Sequence, residues 1–198
     1  MTLELWNTFA TMGTFIVIAA TAIAALVQLR HARGSNQLAA LAELQDTSRT
    51  AQFEAAEHVV RTELEGKLKD PEFRYQLCHR SVRTPETRVF LSKINTVGNF
   101  YENMGLLVKS GLVDRDLALD TWAGQIPGNW ERLSPFAVII RRELGDSVWE
   151  NFEYLTVLAQ DWMTAHPYGA YPRGVRRLQL NDSWLDDDKR YEAVRATA

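Results

Sequence analysis

Catalysis on a helical scaffold needs carboxylates, histidines, thiols or arginines gathered on one face, and this sequence offers few such groupings. Glu54 and His58 are one helical turn apart with Glu57 beside them, the residue types of carboxylate and histidine metal sites. Those sites in bundles require Glu-x-x-His on two helices plus two further glutamates. The chain contains no Glu-x-x-His, and its other histidines, His31, His79 and His166, fall on different segments. A surface pair on one helix is the favoured reading. Cys78 is followed by His79 and Arg80, a sequence that suggests an activated thiol. Adjacent helical positions point about 100° apart, however, which favours an inert, half-buried cysteine. Gly-x-Ser-x-Gly, phosphate-binding glycine loops and His-Glu-x-x-His are all absent, so no catalytic residue, metal ligand or cofactor is assigned.

Glu102 is the more informative polar group. Gly98, Glu102 and Gly105 lie along one line of a strongly apolar helix, as glycines do where another backbone comes close. An acid between them is expected to be desolvated and to need a partner, for which Arg141 or Arg142 is the candidate. The functional reading is a pocket floored by Glu102. The structural one, a buried ion pair that fixes helix register, is favoured because such pairs outnumber sites. Arg173, Arg176 and Arg177 interleave with Tyr168 and Tyr171 in the chain's basic aromatic patch, and the acidic run at Asp186–Asp188 argues for a solvated loop there.

The elements that position these residues follow from hydrophobic patterning. Residues are 46% hydrophobic and 24% charged with a net charge of -3, a globular composition that gives no support for nucleic-acid binding. The single cysteine excludes an intramolecular disulfide. From Leu5 to Leu29 there is no charge, and Phe9 to Val27 is apolar apart from three threonines and a glycine. At 1.5 Å per residue that run is about long enough for a hydrocarbon core of roughly 30 Å. A signal peptide would show a basic start and a shorter apolar run; a soluble core helix is the other alternative, because six alanines dilute the hydrophobicity, and length and flanking charge favour a spanning helix. Trp6 precedes the run, while Arg30, His31 and Arg33 follow it. The positive-inside rule then places the N-terminus outside and the following domain in the cytoplasm, as a single pass of the cell's inner (plasma) membrane. Gly13 with Ala10, and Ala20 with Ala24, are spaced for close helix approach, which permits self-association, although alanine is common in such helices.

Residues 1–33 therefore form a transmembrane anchor, and Gly34-Ser35-Asn36 reads as a breaker before a long stalk helix over 34–69. Residues 70–166 read as an antiparallel helical bundle. Asp70-Pro71-Glu72, Thr84-Pro85-Glu86, Asp114 and Asp146 are expected helix starts, and a helix is expected to end before Pro127 with new starts at Asn129 and Ser134-Pro135. Phe90, Ile94, Val97, Tyr101, Met104 and Val108 form the clearest apolar stripe, closed by Gly111. No window alternates with period two, so the fold is all-α, and residues 167–198 read as loop and partly ordered tail.

Asn99-Phe100-Tyr101-Glu102-Asn103-Met104-Gly105-Leu106-Leu107-Val108, then Gly111-Leu112-Val113-Asp114 and Trp130-Glu131-Arg132-Leu133-Ser134-Pro135, together with the apolar N-terminal helix, resemble bacterial proteins grouped as domain of unknown function 4760. The resemblance spans about Phe9 to Trp162 and implies a membrane-tethered helical domain without a known activity. The reading that follows is a membrane-anchored, non-enzymatic interaction or sensor module, its partners the lipid bilayer, a second copy of the chain and an unidentified protein. An oligomeric membrane effector or pore component is the alternative, and a helical metal enzyme a weaker one.

Overall fold

A computed structural model describes residues 3–196, with side chains defined for 11–32 and 34–196. All regular structure among these residues is helical. The chain divides into one unit through Pro167 and a second from Tyr168.

Helix α1 runs without interruption over Leu3–Ser48. Gly34-Ser35-Asn36 does not break it, because a glycine costs only about 1 kcal/mol inside a helix and strong helix formers flank the triplet on both sides. The exposed side chains of residues 11–32 include Phe15, Ile16, Val17, Ile18 and Ile23. The Thr21 hydroxyl donates back to the Val17 carbonyl at 2.7 Å, which satisfies it within the helix. Thr11–Ser48 contains a window of mean hydropathy 2.1 that is unburied throughout, so α1 is long and apolar enough to cross a membrane. Further along, Leu41 and Leu44 turn into the core.

The 34–69 stalk is not one helix. It breaks at Arg49–Thr50, where Ser48 donates to the Gln45 carbonyl and Thr50 to that of Thr47, so hydroxyls compete with the helical ladder. Thr50 Oγ1 then accepts from Phe53 N and caps α2 (Ala51–Thr62), which folds back into the domain with Phe53, Ala56, Val59 and Val60 buried. A short α3 (Leu64–Lys69) follows. Asp70 caps α4 (Pro71–Cys78) and Thr84 caps α5 (Pro85–Lys109), each with proline in the first turn as the sequence indicates.

Helix α5 is the axis of the unit, packed chiefly against α8 and α2. Its predicted stripe is buried from Phe90 to Val108. Gly111, at φ 70°, closes it while Leu112 N donates to the Leu107 carbonyl, the six-residue loop of a Schellman end. Asp114 caps α6 (Arg115–Trp122) through Leu117 N.

Two expected boundaries are absent. Pro127 lies in the first turn of α7 (Ile126–Leu144), and Asn129 and Ser134-Pro135 sit inside that helix. Pro135 removes the N–H that would have reached the Glu131 carbonyl, and the Ser134 hydroxyl donates to that same carbonyl at 3.3 Å. Asp146 does not cap the next helix: α7 ends at Gly145 (φ 86°), and α8 (Glu150–Ala165) begins only after Trp149. In the second unit the tail carries α9 (Leu185–Ala196), a wholly exposed helix with Asp186, Asp187 and Asp188 in its first turn, where the helix dipole favours acids.

Candidate functional site

The line of Gly98, Glu102 and Gly105 on α5 faces the beginning of α8. Trp149, just before that helix, has left-handed backbone angles (φ 54°, ψ 36°) and gives no side-chain cap. Glu150 N reaches back to the Ser147 carbonyl at 3.4 Å, and the N–H groups after it have no side-chain cap from Trp149. Glu102 supplies it from across the interface: one carboxylate oxygen accepts from Phe152 N at 2.9 Å, the other from Asn151 Nδ2 at 2.7 Å. Negative charge at a helix N-terminus also favours the macrodipole. Asn151 Oδ1 in turn accepts from Lys109 Nζ at 3.2 Å, so the Asn151 amide links two charges of opposite sign on α5.

The glycines are the seats for this contact. A Cβ on Gly98 would lie 2.0 Å from the Trp149 indole, and one on Gly105 would lie 2.1 Å from the Asn151 carbonyl oxygen. The indole N–H donates to Asn99 Oδ1 at 3.0 Å, and the ring leans on Phe136 with centroids 5.4 Å apart. Gly98, Asn99, Glu102, Gly105 and Lys109 thus act as one docking face for the start of α8.

The arginine partners expected for Glu102 are not its partners. Arg141 serves the α7–α8 turn instead, donating through Nε to the Val148 carbonyl at 2.9 Å and to Glu153 at 2.7 Å. Its guanidinium also lies 5.8 Å from the Trp130 ring centroid. Arg142 is exposed, since the next residue on a helix points about 100° away. Glu102 is half-buried rather than fully desolvated, and one backbone and one amide donor satisfy it without a cation. The contact is a cap on α8 in place of an ion pair.

The remaining candidates scatter. Glu57 pairs with Arg61 at 3.2 Å on the surface of α2. Among the described residues no three His, Cys, Asp or Glu side chains converge as a metal site. Cys78 Sγ faces the Ile139 carbonyl at 3.8 Å, whereas His79 stacks on Tyr75 with ring centroids 4.0 Å apart, so the two do not interact. In the second unit, Arg177 lies over the Tyr171 ring at 4.6 Å and donates to the Tyr168 carbonyl. Of the anchor residues, Gly13, Ala20, Ala24 and Arg30 are exposed along α1. The side chains of Trp6 and Arg33 lie outside those described.

A buried polar knot went unnoticed in the sequence. Tyr101 stacks on Phe152 with ring centroids 4.7 Å apart, and its hydroxyl accepts from Asn129 Nδ2 at 2.9 Å. Asn129 Nδ2 also lies 3.3 Å from Glu57 Oε1. Burial first, and then the charge of Glu57, push the Tyr101 phenol far above its ordinary 10.0, against the pull of Asn129. The unfolded chain then loses this proton near pH 10 while the folded chain keeps it. The contribution is complete below about pH 10 and falls by about 1.4 kcal/mol per unit above it. Denaturant melts between pH 9 and 11 should therefore show a steeper loss for the wild type than for Tyr101→Phe, and parallel curves would contradict the assignment.

Residues 15–162 match the family described as Domain of unknown function (DUF4760). The chain belongs to this family. The DUF4760 match begins within the apolar part of α1 and ends in α8, so it takes in the docking face on α5 and the helix it holds. No curated protein and no solved structure matches the chain. DUF4760 membership brings no activity with it, and the site's meaning rests on its geometry.

Proposed function

We propose that this protein is a single-pass membrane protein whose helical domain works on the cytoplasmic side as a non-enzymatic interaction or sensor module. The observation that carries this reading is α1 itself. Its apolar residues 11–32 are exposed along the helix, while the same unbroken helix ends with Leu41 and Leu44 in the domain core. An exposed run of this length is costly in water and suited to lipid. Arg30 and His31 close it on the domain side, which supports a cytoplasmic domain, and the small residues Gly13, Ala20 and Ala24 support self-association in the bilayer. The glutamate of the docking face is engaged in holding a helix, which supports a module that binds rather than one that turns over substrate.

Extraction and labelling test it. The wild type should resist alkaline carbonate and yield to detergent. Ile18→Arg, at a cost of about 2.5–3.5 kcal/mol mid-bilayer, should release most of the chain. With Cys78→Ser as background, Lys93→Cys should react with a membrane-impermeant maleimide only after the cells are opened. A carbonate-soluble wild type would refute the anchor, and labelling of intact cells would refute the orientation.

A further inference from the structure

A cleft opens beside the docking face, between the end of α4, the outer side of α5 and the α7–α8 turn. It has two joined lobes. One, of about 410 Å³, is bordered on its apolar side by Phe136, Ile140 and the Trp149 indole, each of which shows the cleft only an edge, under a tenth of its surface. The other, of about 510 Å³, is lined by Arg83, Arg88, Ser92 and Thr96, and the two share Arg83, Leu91, Asn95 and Asn99. The polar lobe contains no carboxylate; Glu143 and Arg80 stand at the apolar one.

We infer that this cleft is a binding site for a small organic anion with a flat apolar body, the body against Phe136, Ile140 and Trp149 and the acidic group toward Arg83 and Arg88. Three observations converge on it. Among the described residues, neither Arg80, Arg83 nor Arg88 takes part in an ion pair. Arg83 is fixed in place: its Nε donates to the Gln76 carbonyl at 2.9 Å and its Nη2 to that of Leu77. Burial and then the nearby Arg80 lower its pKa, Cys78 opposes them, and Arg88 adds a smaller downward push. Finally, the aromatic wall is a strained one. A bulky residue in the left-handed region costs on the order of 1–3 kcal/mol and persists only where its surroundings hold it, as Gly98 and Asn99 hold Trp149. A charged fork beside an apolar slot recognises a planar anion through paired hydrogen bonds and ring contact.

This inference deepens the sensor reading by naming the class of signal, and its test is independent of the anchor. The full chain in phosphatidylcholine nanodiscs is titrated with naphthalene-2-sulfonate and with the neutral naphthalene-2-sulfonamide, followed by saturation-transfer NMR and calorimetry, with empty discs as blank. If the chain is soluble without lipid, the same titration runs in buffer, so a failed anchor and an empty cleft are different results. The sulfonate is expected to saturate with a Kd on the order of 0.1–1 mM and the sulfonamide to bind at least about tenfold more weakly. Arg88→Glu, an exposed position, should weaken the sulfonate about tenfold and leave the sulfonamide unchanged. Asn95→Trp should fill both lobes and remove both ligands while helicity and Tm stay at wild-type values. No saturation, equal affinity for the two ligands, or sulfonate binding that survives both substitutions would overturn the proposal.

Discussion

Gly105→Ala is expected to cost about 3 kcal/mol or more, a large fraction of a domain's usual stability, and to lower Tm by several degrees or more. In an exposed helix the same change stabilises by about 0.5–1 kcal/mol, because alanine loses less backbone freedom on folding. Here the new methyl would lie 2.1 Å from the Asn151 carbonyl oxygen and 2.6 Å from its carbon. Backbone cannot rotate aside as a side-chain tip can, so α8 must lift from α5 and take Phe152 and Leu155 out of the core. Gly66, in α3, has nothing within 4 Å of an added Cβ. Gly66→Ala should therefore raise Tm slightly, and the opposite signs of two identical substitutions isolate the contact from helix propensity. A Gly105→Ala variant melting within a degree or two of the wild type would show that α8 does not approach α5 so closely.

Glu102→Ala should cost about 3–4 kcal/mol, since two charge-assisted hydrogen bonds are lost at about 1.5–3 kcal/mol each and partial solvent access returns some of that. Glu102→Gln should be intermediate. Its amide oxygen can accept from Phe152 N, but its NH2 would then face the Asn151 NH2, donor against donor. Amide exchange at the first turn of α8 separates this role from the expected ion pair with arginine. Loss of the cap should speed exchange at Asn151 and Phe152 more than across α5. If Glu102→Ala left exchange at Asn151 and Phe152 at the wild-type rate, the cap would be the wrong description.

The two residues show which parts of the fold were legible in the sequence. Asp70, Thr84, Asp114 and Gly111 each act on N–H or C=O groups within a few positions of themselves, so local spacing is enough to reveal all four. The unusual status of Glu102 was legible too, because its flanking glycines mark a close approach. Its partner was not, since the donors lie some fifty residues away on a helix whose start is set by tertiary contact. Helix continuity is hidden from the sequence for a related reason. Gly34 and Pro135 are breakers by propensity, yet one is outweighed by its flanks and the other is compensated by Ser134. The hydroxyl cluster at Thr47, Ser48 and Thr50 was the real punctuation, and the polar stretch from Gln45 to Gln52 was its signal.

The unbroken course of α1 through Gly34 has a rotational meaning. Every residue of a helix turns it by about 100°, so the azimuth at which Gly13, Ala20 and Ala24 project is locked to the azimuth at which Leu41 and Leu44 enter the core. Inserting one alanine after Gly34 would swing the small-residue face about 100° around the shaft while leaving every contact in the bundle intact. The apolar stretch and the bundle are geared together, and a twist imposed at one end of the helix is delivered at the other.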